Sequence, residues 1–350
     1  MTDTARTAQA LPARTEPALP EHTLRPEEIP AIVAEIGRLV REFYVFPEIA
    51  EQLVGIIEDR AAQGRYEATA DAGALAALLS EDLQSVNGDR HLRVLFHPYP
   101  VPAEPGGAMM TRLTREADLS LGGVPLVRRM TGGVALLELA PILFPTDMTG
   151  ESLVAALNLV ARAEALILDL RECVGGAPHT VALICSYLLD RPTHLNTIYD
   201  RADDDFTQSW SVPMVHGPKF GGSKPLYLLT SRRTFSAAEE LTYDLQQLGR
   251  ATVVGERTGG GANPRKGFTL HPHLEASIPT ARAINPVSGT NWELVGITPD
   301  IETDPAEALA TAHRAALVAV AGSAADSLSA EEARRILAGE RPPGGDGTVL

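Results

Sequence analysis

Along the first quarter of the chain the apolar positions fall with helical spacing. Ile29, Ile32, Val33, Ile36, Leu39, Val40 and Phe43 recur at i, i+3, i+4 and i+7, which predicts an amphipathic helix ending near Tyr44. Pro47 opens a second helix through Leu53, Ile56 and Ile57, and Leu75, Leu78, Leu79 and Leu83 mark a third. Short links between them predict a small helical bundle over 26–90. From His91 the period changes to two: Leu92-Arg-Val-Leu-Phe96 alternates as a strand does. After a Pro/Gly-rich stretch come an apolar strand at 134–139, a helix at about 150–163 and a strand at 165–169. A helix at 178–189, a strand at 226–230, a helix at 237–248 and a strand at 251–255 follow. Short apolar strands alternating with helices predict βαβ units on a buried, mostly parallel sheet, and hence an α/β core over 91–325. Residues 268–301 return to short strands, and 305–321 read as a helix. Ser329 and Glu332 spell a capping box for a last short helix, which with a Gly/Pro-rich flexible tail makes up 326–350. Residues 1–25, with Pro12, Pro17 and Pro20 and no apolar period, are expected to form a disordered tail.

Composition narrows the function more than the fold. The formal net charge is −15, with no basic stripe, which argues against a nucleic-acid partner. Two cysteines, Cys173 and Cys185, make neither a disulfide framework nor a C-x-x-C zinc pair. No apolar run suits a signal peptide or a membrane span, so the expectation is a cytoplasmic protein with no membrane partner.

Five segments could carry chemistry. In Thr230-Ser-Arg-Arg-Thr-Phe-Ser236-Ala-Ala-Glu-Glu240, a strand turns into a helix at a serine. Outward-pointing N–H groups at such a corner favour negative charge, so a nucleophile there has oxyanion donors at hand. Ser236 and Glu239 equally spell a capping box, the commoner use of a serine at a helix start. Asn87-Gly-Asp-Arg-His91 delivers a histidine to the start of a strand, as a general base or as a structural residue. Leu168-Asp-Leu-Arg-Glu-Cys-Val-Gly175-Gly176 follows a buried strand, and its glycines suit an oxyanion hole or simply a βα turn. The loop Gly255-Glu-Arg-Thr-Gly-Gly-Gly261-Ala lacks the G-K-[ST] of a phosphate loop. Trp292-Glu293-Leu-Val-Gly-Ile-Thr-Pro299-Asp300 sets a carboxylate ahead of a rigid turn. His271 and His273 share a strand face, but no third metal ligand stands at a sensible spacing.

In this order the segments resemble the serine peptidase family that includes C-terminal processing (tail-specific) proteases, the tricorn protease core and interphotoreceptor retinoid-binding protein. The similarity spans about 28–303 and is nearest the retinoid-binding-protein-like branch. It implies a crotonase-like (ClpP/crotonase) α/β core behind the helical bundle. Carried over by motif, Ser236 falls on the nucleophile of S-A-x-E, His91 on the base of D-x-H, and Glu293 on the carboxylate of E-x-x-G-[VI]-x-P-D. Gly175 or Gly176, with the Ala237 amide, falls on the oxyanion hole. Two departures stand out. Tail-specific proteases carry a lysine in G-E-x-T-F-G-K-G, where this chain has Gly261, and Lys266 comes five residues too late. Cys173 replaces the usual Asn of D-L-R-x-N-x-G-G.

The expectation is therefore a serine hydrolase, most simply a peptidase, working by a Ser236–His91–Glu293 arrangement with no metal or organic cofactor. Its partner would be a peptide or a small-molecule carbonyl substrate, and the oligomeric state stays open. The rival expectations are a non-catalytic binder of an apolar ligand on the same fold, and an acyl-transfer or cyclisation enzyme acting on a small molecule.

Overall fold

A computed structural model describes residues 22–100, 107–323 and 327–340. The tail expected over 1–25 lies outside the described residues except for its end. There Thr23 bridges Asp71, and Leu24 is buried because its apolar side chain joins the helical core.

The three N-terminal helices are α1 (Glu28–Phe43), α2 (Pro47–Ala62) and α3 (Ala72–Leu83). Their apolar faces close on an antiparallel sheet of β1 (Arg93–Phe96), and of β9 (Arg265–His271) and β10 (Leu274–Pro279), in the order β1-β10-β9. Leu92, Val94, Leu274, Ala276 and Ile278 complete that core. Asp82 fixes α3 from within: it accepts hydrogen bonds from the Tyr66 hydroxyl and Arg65 Nε, each at 2.9 Å, and pairs with Arg60 at 3.1 Å. Asp82→Ala would strand these donors, so a loss of about 2–3 kcal/mol is expected. That is less than for a fully buried pair, because both guanidiniums reach water. Urea unfolding checks it, and a change under about 0.5 kcal/mol, the size expected of an idle surface site, would show the cluster to be idle.

Between β1 and the central sheet stands α4 (Gly107–Leu119), a helix in the stretch read above only as Pro/Gly-rich. The central sheet has six strands in the order β12-β8-β7-β4-β3-β2. They are β2 (Leu126–Arg129), β3 (Val134–Glu138), β4 (Ala165–Asp169), β7 (Leu226–Thr230), β8 (Thr252–Gly255) and β12 (Ile301–Glu302). All pairs are parallel except β2 with β3. Side chains alternate across this sheet. Leu166, Leu168, Leu226 and Leu228 face α5 (Thr146–Val160), α6 (Pro178–Leu188) and α7 (Ala237–Gln247). Ile167, Tyr227, Leu229 and Val254 face α8 (Pro305–Ala321) and α9 (Leu328–Leu337). Burial on both faces explains why these strands read as unbroken apolar runs.

A second small sheet, β11-β5-β6, comprises β5 (His194–Asp200), β6 (Asp205–Trp210) and β11 (Ala281–Ile284). The last helix is capped by Ser327, whose Oγ accepts the Ala330 N–H, and not by Ser329. Glu332 instead accepts the Gly132 N–H at 2.9 Å across the fold, which ties α9 to the turn before β3. Among the described residues no helix is long and apolar enough to cross a membrane.

Candidate active site

The site forms where loops leave the carboxyl ends of β4 and β7, the usual position for chemistry on a parallel sheet. Ser236 begins α7 at φ 53°, ψ −124°. That left-handed backbone costs a non-glycine residue about 1–3 kcal/mol and persists only where its surroundings enforce it. The Phe235 N–H donates to the Cys173 carbonyl at 3.2 Å, and the Ser236 N–H to Glu239 Oε2 at 2.9 Å. Glu239 does more than cap. Wholly buried, it also accepts the N–H groups of Gly260 (2.7 Å) and Gly261 (2.9 Å) and the Thr258 hydroxyl (2.5 Å). Burial raises its pKa while these donors pull it back, so one carboxylate pegs the serine corner to the glycine loop.

Beside Ser236 the β4 loop turns at Gly175 (φ 133°) and Gly176 (φ 134°), where only glycine sits without strain. A Cβ on Gly176 would lie 2.2 Å from the Leu143 carbonyl, and one on Gly175 3.1 Å from Ser236 Cβ. The Leu143 N–H donates to the Gly175 carbonyl, and the Ala177 N–H to the Leu143 carbonyl, both at 2.8 Å. The amides of Gly176 and Ala237 donate to no group among the described residues, while that of Gly175 lies against the Cys173 sulfur. Cys173, in the place of the family Asn, stays in the loop's service: its Sγ donates to the Gly175 carbonyl at 3.7 Å. Burial pushes this thiol up to about 12, so it remains protonated.

His91 and Ser236 line one cavity of about 450 Å³, together with Gly176 and Ala237. Among the described residues no hydrogen bond joins the two side chains, a looseness common before substrate binds. The His91 ring packs on Phe235 at 4.7 Å between centroids. Burial, then the positive charges of Arg93, Arg265 and Arg90, lowers its pKa to about 4, so the ring is neutral and able to take a proton. Glu293 accepts the N–H groups of Ala262 (2.6 Å) and Asn263 (3.0 Å). Its Oε1 and His91 Nδ1 are both buried with no hydrogen-bond partner among the described residues. One polar atom from each of Asp89, His91 and Glu293 lies within 4.8 Å of the others. Burial and the neighbouring Asp89 push Glu293 up to about 8, and burial raises Asp89 as well. Each carboxyl this close makes it harder for the other to ionise.

Asp89 was not singled out above, although it is the Asp of the D-x-H segment. It accepts the Tyr44 hydroxyl at 3.0 Å and the His91 N–H at 2.9 Å, which fixes the approach to the histidine. Asp89, His91 and Glu293 are also the described residues that could gather round a cation. His271 and His273 contact each other instead, with the His273 N–H donating to His271 Nδ1 at 3.2 Å.

The position of the family lysine is filled in another way. A Cβ on Gly261 would lie 2.2 Å from the Phe235 ring and 2.8 Å from His91 Cε1, so the phenyl ring, with the histidine beside it, stands where a longer side chain would start. Lys266 lies on β9, half exposed, and pairs with Asp200 at 3.1 Å.

Residues 134–303 match the family model described as peptidase family S41, and residues 22–117 match that of the N-terminal domain of Peptidase_S41 in eukaryotic IRBP. The chain belongs to peptidase family S41. This makes it a serine-type peptidase, and the mixed α/β fold with its N-terminal helices is the S41 fold. Solved structures agree on that fold. The photosystem II D1 C-terminal processing protease is 17% identical, with 78% of this chain and 92% of that chain covered and a TM-score of 0.51. Mature CPAF complexed with lactacystin is 13% identical over 83% and 98% of the two chains, with a TM-score of 0.58. The tricorn protease is 13% identical over 82% of the S41 chain but 35% of its own, with a TM-score of 0.51.

Proposed function

We propose that this S41 peptidase cleaves peptide bonds through an acyl-enzyme on Ser236, with His91 as general base and the Asp89–Glu293 pair as its electrostatic support. Ser236 Oγ attacks the scissile carbonyl while His91 takes its proton. The imidazolium then returns that proton to the leaving amine, and water repeats the cycle to free the acid. The amides of Ala237 and Gly176 hold the oxyanion, with the Gly175 turn setting their direction. The single negative charge retained by the carboxyl pair stabilises the imidazolium. The observation that carries this reading is the common cavity: nucleophile, base and oxyanion donors face one space. An apolar-ligand binder is less well supported, because the same cavity is lined by Arg93, Arg265, Asn196 and Glu240.

A fluorophosphonate probe tests the reading. It should modify Ser236, located by mass spectrometry of the labelled peptide, and failure to label the folded protein at Ser236 would end the proposal.

The pH dependence gives an independent check. His91 titrates below its ordinary 6.5, so the base is available in moderately acidic solution. The acid limb of kcat/KM should lie below 6.5, toward about 4. A limb at 6.5 or above would mean that the ring is not held among the arginines as described. The sign for stability is the same. A lowered histidine pKa means that the folded state binds fewer protons between about 4 and 6.5, so this group's contribution increases with pH across that window.

A further inference from the structure

Glu240 stands one helical turn beyond Ser236 on α7, is 6% exposed, and lines the cavity that holds the nucleophile. The acyl-transfer steps make no use of it. Its one hydrogen-bond partner is Asn196 Nδ2, at a long 3.4 Å, and among the described residues no cation pairs with it. Asp244, the next acid along the same helix, adds to the deficit: Oδ1 accepts from Asn285 Nδ2 at 3.0 Å, while Oδ2 is buried with no partner. A buried acid without a counter-charge is costly, and a cavity meant for an apolar group would have no use for one.

The walls leading to Glu240 are of another kind. Ile198, two residues from Asn196 and so on the same face of β5, lines the cavity with Ala262, Ala283 and Trp292. An apolar sleeve with a carboxyl and a carboxamide on its wall fits an alkyl stem that carries a cationic head. Arg93 and Arg265 line the cavity too, beside His91, and neither pairs with Glu240.

We propose that Glu240, helped by Asn196, is the specificity-determining residue of this site, and that it selects peptides with lysine or arginine flanking the scissile bond. The inference rests on the Ser236 reading above. Burial, against the hydrogen bond from Asn196, pushes the Glu240 carboxyl up to about 7, so a bound ammonium or guanidinium is what would hold it ionised. The formal charge of −15 favours the approach of such peptides.

The test uses the full-length protein and a peptide library varied at the two positions flanking the cut, with products read by mass spectrometry. Peptides with Lys or Arg at one of these positions should exceed their norleucine counterparts in kcat/KM by about tenfold or more, the scale of a charge-assisted hydrogen bond. Glu240→Gln should collapse that ratio, because the carboxamide keeps the shape and loses the charge. A wild-type ratio at or below one, a preference for acidic flanking residues, or an unchanged ratio in Glu240→Gln would each overturn the proposal. Should the variant fail to fold, the wild-type ratio is joined by a competition measurement. An N-acetyl-lysine amide peptide should slow fluorophosphonate labelling of wild-type Ser236 more than its norleucine analogue, and equal protection would overturn the proposal. Labelling itself separates the two levels: a labelled Ser236 without basic preference sinks the specificity and spares the nucleophile, whereas an unlabelled Ser236 sinks both.

Discussion

Ser236→Ala is expected to remove fluorophosphonate labelling altogether and to lower peptide turnover on the order of 10⁴–10⁶-fold, as loss of a nucleophile that acts in concert with its base does elsewhere. The fold should survive. The corner is held through the backbone, by the Ser236 N–H on Glu239 and the Phe235 N–H on Cys173, and alanine keeps both. Loss of a helix-start hydroxyl costs about 0.5–2 kcal/mol, which an ordinary domain tolerates. Circular dichroism and thermal unfolding of the variant distinguish a dead site from a lost fold. Residual turnover near the wild-type rate, in a folded variant, would place the nucleophile elsewhere.

The second large effect concerns the base. His91→Ala should reduce kcat about 10²–10⁴-fold, the usual worth of a positioned general base. Lys266→Ala should leave kcat within about twofold, since exposed ion pairs contribute little and Lys266, paired with Asp200, is not among the residues that line the cavity. A large loss from Lys266 with none from His91 would reverse the mechanism. Activity in EDTA is expected to stay unchanged, and a clear loss would turn the Asp89, His91 and Glu293 cluster toward a cation.

What could be read in the sequence follows burial. The central strands β3, β4, β7 and β8 announce themselves because both faces are covered and nearly every position is apolar. The pair β5–β6 does not. Asp205–Trp210 is exposed along most of its length, so no alternation marks it as a strand. The helix α4 is obscured by the Pro/Gly run before it, although Met-Met-Thr-Arg-Leu-Thr-Arg-Glu-Ala contains good helix formers. At the site, motif order singles out Ser236, His91 and Glu293 as candidates. It passes over Asp89, Glu239 and Glu240, because an acid in sequence is presumed solvated until the fold buries it. Glu239 looked like a cap, and only the positions of Gly260 and Gly261 disclose that it joins two loops.

One consequence follows from where His91 is anchored. The strand it introduces is packed into the core of the three N-terminal helices, whereas Ser236 opens a helix whose apolar side belongs to the core of the central sheet. His91 and Ser236, the proposed base and nucleophile, thus ride on separate hydrophobic masses and meet at their seam, bridged by such contacts as Arg90 on the Gly259 carbonyl at 3.1 Å. Catalytic competence then works as a gauge of how firmly the two masses are docked. A cavity cut among Ile36, Leu53 and Leu79, remote from any reacting atom, should silence the enzyme by letting the histidine drift while the sheet that bears the serine remains folded.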